Sequence, residues 1–299
     1  MQGILNSVAP STLRSYTKAV ARFLAFAEGL DVPVPWPASQ ATVLQYLAHL
    51  HGLGLAAGTM RRDLAAISFF SKAGGFPDPC DSFEARRAME GWGRVSPRVP
   101  DQRRPITLPV LRAILREVPD VCWSSFEAQL LHTTFVLAFF GAFRVGELVA
   151  GSRRDPSGRA LALGDVAPSR RRVAITIRHS KTDQQGRGAS VLLRSAREKA
   201  ICPVRAVWSF LAVRPHSPGP FLIHRDGSPL TRYQFAALLR ACLQAAGFPP
   251  EEFATHSFRI GAATVASVLG LPPAAIQRLG RWRSSAFRSY IRTARALTC

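Results

Sequence analysis

The stretch that decides how this chain is interpreted lies near the C-terminus and reads "THSFRIGAATVASVLGLPPAAIQRLGRWRSSAFRSYIR", residues 255–292. Its apolar residues recur at helical spacing. His256 and Arg259 stand three residues apart, so they share one face of a helix. An Arg-Trp pair and a lone tyrosine follow. A phosphodiester site needs cationic donors for its oxygens, and a tyrosine hydroxyl can serve as its nucleophile.

Two earlier segments add cationic side chains. In "GAFRVGEL" (141–148), Arg144 and Glu147 lie three residues apart at the end of an apolar helical segment. Alone, they would be a local ion pair worth about 0.2–0.5 kcal/mol. In "RHSKTDQQGRG" (178–188), Lys181 lies at the tip of a strand entering a turn, where a lysine is usually solvated. Taken with the C-terminal stretch, this set fits phosphoryl transfer, because positioned cations stabilise its developing charge.

The charge of the chain points to a polyanionic partner. The 299 residues include 39 basic and 19 acidic side chains, which gives a net charge of +20. Residues 1–96 carry +2 of this charge and residues 97–299 carry +18. An excess rich in arginine is typical of nucleic-acid binding, because guanidinium groups contact phosphates through paired hydrogen bonds. Arginine-rich codon usage in a GC-rich genome is the alternative explanation.

The composition also bounds where the protein acts. Hydrophobic residues make up 47% of the chain, enough for a core, yet the apolar run at 135–143 is far shorter than the ~20 residues of a membrane span. The N-terminus lacks a signal-peptide pattern. Five scattered cysteines without a CxxC pair predict reduced thiols and no metal site. We therefore expect an intracellular protein, nuclear if its host is eukaryotic, with no membrane association.

The periodicity predicts a helical N-terminal domain and a mixed C-terminal domain. Helical patterns cover residues 11–30, 40–53, 57–73 and 82–92. The proline-rich segment 31–39 predicts a loop, and the polar segment 94–105 predicts a linker. We therefore expect domains at 1–96 and 97–299.

The second domain opens with helical patterns, the longer covering residues 125–150. Three strand candidates follow, separated by turn-rich segments such as "DVAPSR" (165–170). They lie at 159–163, 171–180 and 189–194. The remaining chain returns to helices, so the expected fold is mostly α with a small antiparallel β-sheet (α+β).

With these motifs in this order, the chain resembles the tyrosine recombinases (the phage integrase family) over nearly its whole length. The family has a helical core-binding (SAM-like) domain followed by a catalytic domain. Its first arginine motif corresponds to "AFRVGEL", which implies a catalytic Arg144 supported by Glu147. Its β-hairpin lysine corresponds to Lys181. The "HSFR" box and the tyrosine after "LGRW" supply the remaining implied catalytic residues: His256, Arg259 and Tyr290.

One position departs from the family pattern. The family places a histidine or tryptophan nine residues before its tyrosine, and that position holds Arg281 here. Trp282 has the expected side chain but lies eight residues before Tyr290. We favour Trp282 as the catalytic residue and Arg281 as a supporting one. The "SKTD", "THSFRIGAAT" and "LGRW" segments look most like the recombinases of DIRS-type retrotransposons and Crypton elements.

The resemblance implies strand cleavage and rejoining without metal, cofactor or ATP. Tyr290 would attack a DNA phosphate to form a 3′-phosphotyrosine while Lys181 protonates the departing 5′ oxygen. His256 would take the tyrosine proton or hold the phosphate, and Trp282 would pack or hydrogen-bond against it. Arg144 and Arg259 would hold the non-bridging oxygens. The alternatives are an enzyme like type IB topoisomerases and a DNA-binding descendant that no longer cleaves.

The implied partner is double-stranded DNA, on which the family assembles as a tetramer. Nine residues follow Tyr290, and as a helix they would span about 14 Å. So small a patch cannot hold a stable oligomer, because specific interfaces bury roughly 1,200–2,000 Å². We expect a monomer in free solution that becomes a homotetramer on DNA.

Overall fold

The computed structural model describes residues 2–30, 36–95, 101–155, 157–179 and 188–292. The chain forms two compact units, Met1–Pro100 and Asp101–Cys299. Within the described ranges the structure is mostly helical with one three-stranded antiparallel sheet, which confirms the expected fold class. The helices seen there are too short or too polar to traverse a bilayer.

The N-terminal unit is a set of helices around a compact apolar core. Tyr46 and Phe23 meet edge to face in this core, with ring centroids 5.1 Å apart. The Tyr46 hydroxyl donates to the buried Asp63 carboxylate at 2.8 Å, so the charge inside this core has a partner. The helices are α1 (Gln2–Leu5), α2 (Pro10–Glu28), α3 (Gln40–Gly52), α4 (Ala57–Ala73) and α5 (Phe83–Val95).

The C-terminal unit is organised around one helix that is apolar on all sides. This helix is buried by helices from both flanks, as expected when no polar stripe is present. The elements are α6 (Leu108–Val121), α7 (Ser125–Phe140), which is the central helix, α8 (Val145–Leu148), β1 (Val166–Pro168), β2 (Arg172–Ile177), β3 (Ala189–Arg194), α9 (Pro203–Leu211), α10 (Arg232–Ala245), α11 (Ser257–Val268) and α12 (Pro273–Gly280). A 3-10 helix at Ser285–Tyr290 follows them.

The predicted helix over residues 125–150 is wrong at its C-terminal end. Helix α7 stops at Phe140, where Gly141 ends it and Ala142 takes a left-handed conformation with φ 43°. The chain then turns, and Arg144 becomes the residue that precedes α8. Arg144 therefore lies on a turn between two helices rather than on a continuous helix.

The first predicted strand is also wrong. Residues 159–163 do not form a strand, because the Asp165 carboxylate accepts the Ala162 N–H at 3.1 Å and closes a 3-10 turn. The strand β1 lies instead within "DVAPSR", which the sequence predicted as a turn. The other two strand predictions are confirmed, although β2 ends at Ile177 rather than residue 180. The strands pair in the order β1-β2-β3.

The segment 94–105, which the sequence predicts as a linker, has regular contacts at both of its ends. Helix α5 continues to Val95. Further along, the Arg104 N–H donates to Glu252 O at 2.8 Å, and the Ile106 N–H donates to Ser257 O at 3.0 Å. The start of the C-terminal unit therefore crosses the N-terminal end of α11 and is held there by backbone hydrogen bonds.

This crossing depends on a glycine in α11. A Cβ at Gly261 would lie 1.8 Å from the Ile106 carbonyl oxygen, which is backbone and cannot swing away. We predict that Gly261→Ala destabilises the protein by about 1–3 kcal/mol or more, the usual cost of overpacking. Urea unfolding measures the change.

The matched control is Gly164→Ala, because a Cβ there meets no atom within 4 Å. The control variant should unfold near the wild-type midpoint. Equal stability of the Gly261→Ala variant and the wild type would contradict the role of this crossing.

Candidate active site

Glu147 is a buried carboxylate shared by two arginines. Its Oε1 accepts from the Arg144 guanidinium at 2.9 Å, and its Oε2 accepts from the Arg281 guanidinium at 2.8 Å. Its side chain is only 3% exposed. The Arg144 backbone N–H also donates to this carboxylate at 3.0 Å. Glu147 therefore fixes both the backbone and the side chain of Arg144, which is more than a surface ion pair would do.

Arg281 ends α12 in a left-handed conformation with φ 56°. Its guanidinium donates to Gly141 O at 2.9 Å and lies 5.0 Å from the Phe143 ring centroid. Burial lowers the pKa of Arg281, and the Glu147 carboxylate opposes that change. These contacts connect the end of α12 to the turn that carries Arg144, so Arg281 links the C-terminal residues of the site to Arg144 and Glu147.

Arg259 is the most deeply placed cation, with an exposed fraction of 0%. Its two terminal nitrogens donate to Ala142 O and Gly280 O, each at 2.5 Å. Its guanidinium carbon lies 4.2 Å from the Trp282 ring centroid. Burial, reinforced by the neighbouring arginines, lowers the pKa of Arg259 to about 10, so it remains charged at neutral pH.

Trp282 packs between Arg259 and Tyr290. The Trp282 and Tyr290 ring centroids are 5.0 Å apart. A Cβ at Gly280 would lie 1.9 Å from the indole, so only glycine leaves room for this ring. The indole N–H is buried and forms no hydrogen bond within the part of the chain that the structure describes.

His256 meets the hydroxyl of Tyr290. The His256 Nε2 and the Tyr290 Oη lie 3.3 Å apart, and the two rings are tilted with centroids 5.6 Å apart. Burial lowers the pKa of His256 to about 4, with further lowering by Arg103, Arg259 and Arg144. A group with a lowered pKa is neutral above that value, so this imidazole carries no charge at neutral pH.

Tyr290 is also fixed through its backbone. The Thr264 hydroxyl on α11 donates to Tyr290 O at 3.3 Å and accepts the Arg292 N–H at 3.1 Å. The Arg292 guanidinium forms an ion pair with Asp101 at 3.0 Å. The backbone at Tyr290 and just after it is therefore held by the unit that carries His256.

The structure brings together most of the predicted site residues, and it places the adjacent residues Arg281 and Trp282 against different partners. Trp282 lies against Arg259 and Tyr290, whereas Arg281 faces Glu147. Lys181 lies outside the described residues. The members brought together are Arg144, His256, Arg259, Trp282 and Tyr290, with Glu147 and Arg281 beside them.

Sequence reasoning missed three contributors: Asp101, Arg103 and Thr264. Arg103 lies close enough to lower the pKa of His256, and two hydrogen bonds to Asp101 orient it. Asp101 and Arg103 fall in the segment predicted as a linker, where polarity hid their role. Thr264 belongs to the quoted "GAAT" stretch, but only the fold shows its contact with Tyr290.

Known proteins resemble this chain in sequence. Residues 4–73 match the family described as phage integrase, N-terminal SAM-like domain. The chain is 27% identical over 292 residues to an integrase/recombinase XerD homolog of Selenomonas ruminantium, covering 93% of this chain and 80% of that protein.

Solved structures share the fold across almost the whole chain. The Tn1549 transposon integrase in complex with circular intermediate DNA is 14% identical, with a TM-score of 0.61 and coverage of 97% of this chain and 91% of that one. The XerH recombinase bound to difH is 14% identical, with a TM-score of 0.63 and coverage of 95% and 77%. A lambda integrase dimer on a core site is 13% identical, with a TM-score of 0.62 and coverage of 97% and 76%.

The chain thus has the fold of the tyrosine recombinases. The sequence matches are to an integrase N-terminal domain over residues 4–73 and to an integrase/recombinase homolog over most of the chain.

The electrostatics of the site predict an unusual titration of His256. Its NMR titration should have a midpoint near pH 4, because burial and three guanidinium groups disfavour the imidazolium. The Arg103→Gln variant should move the midpoint upward, since one of those charges is removed. A wild-type midpoint near the ordinary value of about 6.5 would contradict this description.

Proposed function

We propose that this protein is a site-specific recombinase that cleaves and rejoins DNA strands through a tyrosine. The observation that carries the proposal is the contact between the His256 imidazole and the Tyr290 hydroxyl at 3.3 Å. A neutral imidazole beside a phenol and buried guanidinium groups is suited to activating the phenol against a phosphodiester. Likeness to DNA-bound integrase and recombinase structures supports double-stranded DNA as the substrate.

In the proposed cleavage step, the Tyr290 oxygen forms a bond to phosphorus and the bond from phosphorus to the 5′ oxygen breaks. His256 accepts the phenolic proton, and Lys181 supplies a proton to the leaving oxygen. The DNA 3′ end stays attached as a phosphotyrosine, so rejoining is the reverse attack by a 5′ hydroxyl. No ATP is required, because each step exchanges one phosphoester for another.

The arginines would stabilise the charge that develops on the non-bridging oxygens. Arg144 is the partly exposed member, and Glu147 holds it in one orientation. The indole N–H of Trp282, which is buried without a described partner, would donate to the same phosphate. Fixed donors of this kind accelerate reactions because they require little reorganisation when charge develops.

Arg259 would join this set only after a local rearrangement. Its terminal nitrogens are bonded to backbone carbonyls, and the rings of Trp282 and Tyr290 cover it. We propose that DNA binding displaces the segment from Trp282 to Tyr290 far enough to bring a phosphate oxygen to Arg259. This segment packs with α11 and α12 in a small apolar cluster that is separate from the main core.

The finer identity is also proposed. The "LGRW" and "THSFRIGAAT" segments favour a recombinase of the DIRS or Crypton type, carried by a mobile element. The proposed assembly is a homotetramer on DNA that forms from monomers, and the proposed location is intracellular, nuclear in a eukaryotic host. The N-terminal unit would act as the core-binding domain, in line with its match over residues 4–73.

Tyr290→Phe should abolish any covalent DNA adduct while leaving DNA binding nearly unchanged, because only a hydroxyl is lost. Nicked duplexes with a randomised centre provide the substrate, and SDS-resistant complexes report the adduct.

Arg144→Ala should slow adduct formation by ~10²–10³-fold, as for the loss of one oxyanion donor. An adduct formed by the Phe variant would exclude Tyr290 as the nucleophile. Adduct formation by the wild type should persist in EDTA.

Arg281 and Glu147 should act on cleavage through the same group, Arg144. Arg281→Gln and Glu147→Gln should each slow single-turnover cleavage, because each loosens the orientation of that guanidinium. The double variant should be within about threefold of the slower single variant, since coupled neighbours are not additive. Fully multiplicative losses would show that Arg281 acts independently, for example by contacting the phosphate itself.

A further inference from the structure

A cluster of exposed arginines lies at one end of the β-sheet. Two of its members form the two-residue turn between β1 and β2, which is closed by the Ser169 N–H donating to Arg172 O at 2.7 Å. Others lie on β2, at the end of β3 and just after it. We call this cluster the arginine surface, and it consists of Arg170, Arg171, Arg172, Arg194 and Arg197.

Several arginines of this unit have a carboxylate partner, whereas the members of the arginine surface have none among the described residues. Arg112, Arg178 and Arg292 each face a carboxylate within 3.0 Å. Across the ranges that the structure describes, no member of the arginine surface forms an ion pair. The five positive charges therefore have no ion-pair partner among the described residues.

Two of these charges are forced together by the register of the sheet. Arg172 and Arg194 are direct partners across β2 and β3. Their neighbours Val173 and Leu193 are buried, so the alternation of a strand puts both arginines on the solvent face. Opposed residues have Cβ atoms about 4.5–5.5 Å apart, and like charges there are destabilising. An external anion would relieve this repulsion.

The turn that carries Arg170 and Arg171 is held in place by an aromatic side chain. The indole N–H of Trp208 on α9 donates to Ser169 O at 3.3 Å, although Trp208 is 48% exposed. The guanidinium groups therefore project from a fixed backbone, which lowers the entropy lost when they bind a ligand.

This surface is at the end of the sheet away from the catalytic residues. At the near end, Arg178 contacts Asp165 at 2.6 Å, and the Leu161 N–H donates to Leu148 O in α8, next to Glu147. Strand β2 runs from that end over six residues, about 17 Å at roughly 3.3 Å per residue. A phosphate held by the site cannot also neutralise the arginine surface.

We propose that the arginine surface binds the phosphate backbone of duplex DNA at a second place, remote from the strand that Tyr290 attacks. Duplex DNA carries one negative charge per about 1.7 Å of its axis, which suits several guanidinium groups on one turn and two adjacent strands. The proposal extends the proposed function, because it requires DNA as the ligand and adds a contact that cleavage itself does not use.

The test is the salt dependence of DNA affinity for the whole chain. The logarithm of the DNA-binding constant falls with the logarithm of the salt concentration, and each lost phosphate contact makes this slope less steep by about 0.9. The variant Arg172→Thr with Arg194→Thr should therefore make the slope less steep by about 2 on a mixed-sequence duplex. Its control is Arg225→Gln with Arg240→Gln, which removes the same charge from exposed positions on other elements and should leave the slope unchanged.

Thermal melting shows that the variants are folded, and the threonine pair should not lower the melting temperature because it removes a like-charge pair. If the threonine variant fails to fold, Arg170→Gln with Arg171→Gln tests the same surface from the turn. An unchanged slope in the folded surface variant, or an equal drop in the control, overturns the proposal. A wild-type protein with no salt-dependent DNA binding would instead overturn the proposed function.

Discussion

The buried guanidinium of Arg259 is the constraint on which the C-terminal unit depends. A charge with no exposed surface needs hydrogen-bond partners of fixed geometry, since an unpaired buried charge is very costly. The partners here are two backbone carbonyls, one from the turn after α7 and one from the end of α12. Both carbonyl oxygens must point toward the Arg259 guanidinium, so this one side chain constrains the backbone at the ends of α7 and α12.

Several unusual local features follow from that requirement. Ala142 and Arg281 are the residues other than glycine that have positive φ in the described ranges. Ala142 carries one of the two carbonyls that Arg259 uses, and Arg281 follows Gly280, which carries the other. Gly280 lacks a side chain where the indole of Trp282 must pass. Arg281, turned by its left-handed backbone, then reaches Glu147 and through it Arg144. One buried cation thus connects the residues that surround Tyr290.

Much of this could be predicted from sequence, because it is recorded in short motifs and periodicity. The α+β class and the two later β-strands followed from periodicity, and "AFRVGEL", "HSFR" and "LGRW" predicted the residues that the fold brings together, from Arg144 to Tyr290 with Lys181 left aside. The turn at Ala142 could not be predicted, since an apolar run gives no sign that a carbonyl is needed by Arg259. Nor could the different positions of Arg281 and Trp282, because these adjacent side chains diverge through a left-handed backbone conformation that arginine rarely adopts.

The central claim is that the phenol of Tyr290 becomes covalently bonded to DNA. The most direct measurement is mass spectrometry of the protein–DNA adduct trapped on a nicked duplex, after digestion with protease and nuclease. The account predicts a nucleotide attached through its 3′ phosphate to the peptide that contains Tyr290. Attachment to another residue, or through a 5′ phosphate, would contradict it.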